Sequence, residues 1–188
     1  VHDAIYQSIR QEDTNHIIMC EDGYNSSSTI VTPEEMGWEN AMYSIHLYPS
    51  SNSGTSYATN LERDVVKVGD YFNRLNCPIF LGEFSAISDG GHEAWPAQGM
   101  DLALAMLNDR GIHWAPWTWK YHNDSNIWGL YHPIDDPGAR IDIQNMDYAQ
   151  IKLAFEQLHS SNFETNPEYE QAFRNNAEAA YMELDLTE

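Results

Sequence analysis

The sequence predicts an α/β fold in which helices cover a parallel sheet. Three observations carry that prediction. Short, continuous apolar runs alternate with longer stretches whose apolar residues fall at helical spacing. The expected strand ends, Glu21, Tyr48, Glu83 and Trp117, lie 27, 35 and 34 residues apart. That is the rhythm of βα units, which run to about 30 residues. Hydrophobic residues make up 42% of the 188, enough for a real core and too many for a disordered chain.

Each element follows in order. Asp3 to Glu12 reads as a helix with Ile5 and Ile9 on one face, and His16 to Cys20 as a buried strand. Residues 22–40 form a long loop rich in Gly, Ser and Asn, with a helical turn expected after Pro33. Met42 to Leu47 is the second strand. The next helix starts near Asn60, with Leu61, Val65, Val68, Phe72 and Leu75 in phase and a capping-box pattern at Thr59 and Glu62. Pro78 to Gly82 is the third strand. A helix from Pro96 to Arg110 points Met100, Ala103, Leu104 and Leu107 inward, and Gly111 ends it as a C-cap glycine. Ile112 to Trp117 is the fourth strand. Beyond a polar loop, Asp147 to His159 reads as a helix with Ile151, Phe155 and Leu158 inward. From Phe163 onward there are seven acidic residues and one basic residue, Arg174. Tyr169, Phe173, Ala177, Ala180 and Leu184 recur at helical spacing there, so 161–188 reads as an acidic helical tail docked loosely on a body of residues 1–160.

A net charge of −20 repels phosphate backbones and anionic membrane surfaces. The apolar runs are too short to span a bilayer. Nucleic acid and membrane are therefore not expected as partners, while a neutral glycan is permitted. Neither Cys20 nor Cys77 sits in a metal-ligand spacing, and their places toward opposite ends of the sheet argue against a disulfide. Two buried thiols are expected. There is no signal-peptide pattern, and Val1 begins almost at a helix without a Met, so the chain reads as cut from something longer.

In α/β folds of this kind chemistry collects at the carboxyl ends of strands. Four groups stand there: Glu21-Asp22, His46-Leu-Tyr48, Glu83, and Trp117-Thr-Trp119-Lys120. A carboxylate directly after the apolar run at 78–82 is costly to desolvate without a partner, which marks Glu83 as a candidate nucleophile or base. His46 and Tyr48 alternate with Leu47 and so share a face. A tyrosine hydroxyl beside Glu83 would keep it ionised. Trp114, Trp117, Trp119 and Trp128 fall within fifteen residues. Core packing accounts for one or two of them, Trp114 first; the others suit a stacking platform for the C–H face of a sugar ring.

These motifs resemble glycoside hydrolase family 5, a family of retaining (β/α)8-barrel enzymes acting on β-glucans, mannans and related glycans. The matching stretches are Tyr43-Ser-Ile-His46-Leu-Tyr48, Pro78-Ile-Phe-Leu-Gly82-Glu83-Phe84, Trp114-Ala-Pro-Trp117-Thr-Trp119-Lys120 and Asn126-Ile-Trp128-Gly-Leu-Tyr131, and the passage from Ile9-Arg10 to Asn15-His16 is similar too. The resemblance implies a TIM-barrel enzyme that hydrolyses a β-linked polysaccharide, β-glucan being favoured, with no cofactor or metal. It makes Glu83 the nucleophile at the end of the seventh strand. His46 and Tyr48 belong to the sixth strand, where Tyr48 would orient Glu83 and His46 would line the reacting-sugar subsite. Trp117 would stack under the reacting sugar, with Trp119, Lys120 and Trp128 also on the substrate side. An extracellular location is favoured for such a parent enzyme.

One departure matters. The family's acid/base glutamate lies in an Asn-Glu motif, and no Asn-Glu dipeptide occurs in this sequence. A complete barrel also needs about 250 residues. The chain therefore reads as strands five to eight, a half barrel plus a C-terminal helix, whose partner is the missing N-terminal half. Glu21 stands at a strand end but among the wrong neighbours for a substitute acid. Such a half barrel would leave two sheet edges and an apolar inner face open, with Ile45, Leu47 and Ile79 on one side or the other. Two other functions fit the same residues: a carbohydrate-binding module without turnover, and a metal-dependent hydrolase using His46, Glu83 and His113 or His122.

Overall fold

The computed structural model describes residues 1–21, 30–47, 57–84, 97–120, 129–134, 141–165 and 167–182. In chain order the elements are α1 (His2–Glu12), β1 (Ile18–Glu21), α2 (Pro33–Met36), β2 (Ala41–Leu47), α3 (Tyr57–Leu75), β3 (Ile79–Phe84), α4 (Ala97–Asn108), β4 (His113–Trp114), β5 (Tyr131–Pro133), α5 (Tyr148–Gln157), β6 (Phe163–Thr165) and α6 (Pro167–Met182). The first four strands form one parallel sheet in sequence order. β5 and β6 pair antiparallel as a separate ribbon. The alternation of apolar runs and helices thus gives the α/β architecture expected.

The sheet has two unlike faces. Ile18 and Cys20 of β1, Tyr43, Ile45 and Leu47 of β2, and Ile79, Leu81 and Phe84 of β3 are buried under the helices. The other face carries Met19, Met42 and Phe80, with Met19 49% exposed. This corrects the expectation for Ile45, Leu47 and Ile79, which lie on the covered side. The open face is instead that of the even-numbered β2 residues, Met42, Ser44 and His46.

α4 is the best-buried helix. Met100, Ala103, Leu104 and Leu107 are all fully buried, at about 1.5–3 kcal/mol for each large side chain. It ends in a Schellman motif. The Ile112 N–H donates to the Leu107 carbonyl at 3.0 Å and the Gly111 N–H to the Asn108 carbonyl at 2.9 Å. Gly111 takes φ +64°, which a Cβ would strain. The buried Ile112 then packs beneath Leu107 and leads into β4.

Several helices differ in detail from the periodicity. In α1 it is Tyr6 that is buried, while Ile5 and Ile9 are exposed. The Tyr6 ring stacks on Trp38 at 5.0 Å, and its hydroxyl both accepts from the Glu39 N–H and donates to the Glu39 carbonyl. Arg10 adds bonds to the carbonyls of Asp13, His16, Glu39 and Asn40. A polar clamp therefore sets the docking face of α1. α3 begins at Tyr57, so Thr59 lies inside its first turn and cannot cap it. Its Val68 and Leu75 are buried, whereas Leu61 and Val65 have side chains outside those described. In α5, Asp147 and Gln150 form a capping box, but Ala154 is the buried residue and Phe155 is exposed. β4 is shorter than expected, although the Ala115 and Trp117 N–H groups continue to the carbonyls of Leu81 and Phe84.

α6 packs on α4. Tyr169, Ala172 and Phe173 are buried, Ala177 is exposed, and Ala180 and Leu184 fall outside the described side chains. Asn176, also buried, donates to the Asp101 carboxylate and the Ala172 carbonyl, both at 2.8 Å. The Asn108 amide donates to the Asn176 carbonyl, and the Trp114 indole N–H donates to Asn108 Oδ1. Cys20 and Cys77 are both buried free thiols, and burial pushes both pKa values up. Their separation is not from end to end of the sheet. Register puts Cys20 level with Tyr43 and Ile79, two residues along from Cys77. Two strand spacings of about 4.8 Å still lie between them, beyond disulfide reach.

Candidate active site

Three side chains from three successive strands meet at the carboxyl end of the sheet. His46, on the middle strand, lies with Nε2 2.6 Å from Glu21 Oε1 of β1 and with Nδ1 3.4 Å from Glu83 Oε2 of β3. A carboxylate only accepts hydrogen bonds, so the short contact is an Nε2–H donating to Glu21. Solvent reaches all three side chains: Glu83 is 24% exposed, His46 20% and Glu21 55%.

The position of Glu83 depends on an irregularity in the ladder. Ile45 pairs with Leu81, yet the next residue, His46, pairs with Glu83, so Gly82 is left over as a bulge. In an uninterrupted ladder His46 would face Gly82, and the Glu83 side chain would turn toward the helices beside Leu47. The extra residue shows in the burial pattern, where Gly82 and Glu83 break the alternation of β3. Glycine is required at the bulge because a Cβ there would stand 2.4 Å from Ser44 Oγ. Sequence reading found Glu83 and its neighbouring glycine but not this link between them.

Trp117 stands at the same rim. Its backbone N–H donates to the carbonyl of Phe84, the residue after Glu83, and the residue is 47% exposed. Trp119 and Lys120 are placed elsewhere. The Trp119 ring packs on Tyr131 at 4.6 Å and lines a hollow with Trp114, Leu130 and Phe173 on the helix side of the sheet. The Lys120 ammonium donates to the Leu158 carbonyl and sits 4.5 Å over the Phe163 ring. Neither makes a contact in the Glu21–His46–Glu83 row: Lys120 is tied to the C-terminal elements, while Trp119 is 63% exposed and touches Tyr131. Trp114 is packed against Phe84 and Phe173. Tyr48, Trp128 and His122 lie outside the described residues. His113 is exposed at the amino end of β4, away from the row. Among the described residues no group of three His, Cys, Asp or Glu side chains is arranged to hold a metal ion. The residue that sequence reading set aside is Glu21; its signal was a carboxylate at a strand end on the strand next to His46.

The carboxyl rim of a parallel α/β sheet thus carries an imidazole between two carboxylates. Residues 1–123 match the family described as Cellulase (glycosyl hydrolase family 5), and the chain belongs to that family. Among solved structures, it is similar to a broad-specificity endoglucanase from Clostridium longisporum, with 19% identity and a TM-score of 0.52, covering 86% of this chain and 50% of that one. It is also similar to endoglucanase Cel5A of Pseudomonas stutzeri, with 20% identity and a TM-score of 0.49, covering 84% of this chain and 49% of that one. No curated protein matches. The fold is thus part of a (β/α)8 barrel, and the chain spans about half the length of the solved structures it matches.

Proposed function

We propose that this chain supplies the nucleophile half of a retaining glycoside hydrolase acting on a β-linked glucan. The observation that carries the reading is Glu83, turned by the Gly82 bulge onto the open face and set against His46 at the carboxyl rim. In the first step a Glu83 carboxylate oxygen attacks the anomeric carbon. The glycosidic C–O bond breaks, and a second carboxyl protonates the leaving oxygen. In the second step water, deprotonated by that same second group, displaces Glu83 and restores the anomeric configuration.

Trp117 would carry the apolar face of the reacting sugar. Tyr48, one position past Leu47, would donate to Glu83 and hold it ionised. We assign the second carboxyl to the other half of the barrel, since the family's Asn-Glu motif is absent from these 188 residues. The names of the structural relatives, which are endoglucanases, and the exposed Trp117 at the rim support a glucan chain as substrate.

The test is Glu83→Ala in the full-length enzyme, assayed with an activated glycoside and sodium azide. Turnover should fall by at least about a thousandfold. Azide should restore it, giving a glycosyl azide of inverted configuration. Activity near that of the wild type without azide would overturn the assignment.

A further inference from the structure

We infer that Glu21 is a positioning residue for the site, acting through the His46 ring; the inference rests on Glu83 being the nucleophile. Three observations lead there. The Glu21–His46 contact, at 2.6 Å, is the shorter of the two that the ring makes with carboxylates. Glu21 and Glu83 come from the strands on either side of β2, so the ring is addressed from both flanks. Register pairs Glu21 with Ser44, two residues before His46 and on the same face, which brings the Glu21 side chain forward to the ring.

A histidine ring can turn over about its outer side-chain bond, which puts Cδ2 where Nδ1 stood and Cε1 where Nε2 stood, and its neutral form can carry the proton on either nitrogen. A carboxylate on Nε2 removes both freedoms. The proton in that contact is committed to Nε2, and Nδ1 is the nitrogen left facing Glu83. Without Glu21 the ring would be free to turn Cδ2 instead of Nδ1 toward the nucleophile, or to carry its proton on Nδ1. The arrangement follows the logic of a catalytic group oriented by a third residue. Glu21 itself, more than half exposed and two strands from Glu83, touches neither the reacting carbon nor the nucleophile in this role.

Glu21→Ala and Glu21→Gln in the full-length enzyme test this, with nitrogen-15 spectra of His46, assigned by loss of its signals in His46→Asn, as the direct readout. The wild type should show a protected proton coupled to Nε2. Glu21→Ala should lose it, and kcat should fall about ten- to a hundredfold with little change in KM or melting temperature. Glu21→Gln keeps an acceptor oxygen and should recover most of the proton signal and most of kcat. An unchanged His46 spectrum in Glu21→Ala would overturn the inference whatever the role of Glu83. So would a kcat that falls only in step with melting temperature. Failure of the nucleophile reading is recognised separately, by full activity of Glu83→Ala in the same assay.

Discussion

Ser44 and Gly82 approach so closely across β2 and β3 that a Cβ on Gly82 would lie 2.4 Å from the Ser44 hydroxyl oxygen. Ser44 is itself buried on the middle strand, so the hydroxyl has little room to withdraw. Gly82→Ala should therefore destabilise the protein by about 1–3 kcal/mol through overpacking. In the full-length enzyme it should also reduce kcat more than KM, because the bulge aims Glu83, the proposed nucleophile. Ser44→Gly in the same chain should recover part of both losses. Denaturant unfolding beside steady-state kinetics checks this, and a neutral Gly82→Ala would refute the steric account of the bulge.

Trp117 and Trp119 are two residues apart but face different surroundings. Trp117→Ala should weaken a competitive sugar-mimic inhibitor about tenfold, the scale of one lost aromatic contact. Trp119→Ala removes a ring packed on Tyr131 and should leave the inhibition constant within about twofold, lowering melting temperature instead. Equal losses of inhibitor binding in the two variants would place Trp119 in the substrate cleft after all.

Asn176 joins α6 to α4 through its bond to Asp101. Asn176→Ala should cost about 1–3 kcal/mol, since it removes a buried amide that donates to the half-buried Asp101 carboxylate and to the Ala172 carbonyl. Urea unfolding would measure the loss, and a change below about 0.5 kcal/mol would mean that packing alone seats the helix.

Asp13 links α1 to β1 and accepts the backbone N–H groups of His16 and Asn15, with the His16 ring 2.6 Å away. Those bonds lower its carboxyl from 3.8 to about 2. The sign follows directly. A depressed folded-state value gives stabilisation that is complete above about pH 4 and lost as pH falls through about 2. An NMR titration should find the Asp13 midpoint near the lower value, and Asp13→Ala should remove the pH dependence of this turn. A midpoint near 3.8 would refute the bonded turn in solution.

Expressed alone, residues 1–188 should self-associate or bind a hydrophobic dye, and should not hydrolyse glycosides. Ile5, Ile17 and Met19 at the β1 edge, with Leu153 and Phe155 on α5, form exposed apolar surface. A monomeric, cooperatively unfolding and active protein, measured by light scattering and assay, would contradict both the open faces and the placement of the second carboxyl.

What the sequence revealed depended on where each signal was local. The inward face of α4 and the role of Gly111 were legible because one helix and its cap contain the whole pattern. His46 and Glu83 were legible as polar residues at the ends of apolar strands. The bulge was not, because it exists only in the pairing of β3 with β2, and an isolated Gly-Glu gives no register. Ile5 and Ile9 misled for a related reason: the docking of α1 is set by Tyr6 and Arg10 reaching residues some thirty positions away. Phe155 misled because periodicity marks an apolar face without saying what covers it.

The hydrogen-bonded relay from Asp101 through Asn176 and Asn108 to Trp114 also bears on the order of events during synthesis. β1, β2 and β3 can pair as soon as they leave the ribosome, since each finds its neighbour in the strand made just before or after it. The surroundings of β4 are different. The Trp114 ring rests on Phe173, and its indole partner Asn108 is tied to Asn176, both from the last helix. Until that helix emerges, the helix side of the final parallel strand lacks the cover of Phe173 and the tie through Asn176. A nascent chain stalled before residue 170 would thus hold a settled sheet of three strands with a fourth still waiting for its cover, and that is the stage at which a chaperone would find it.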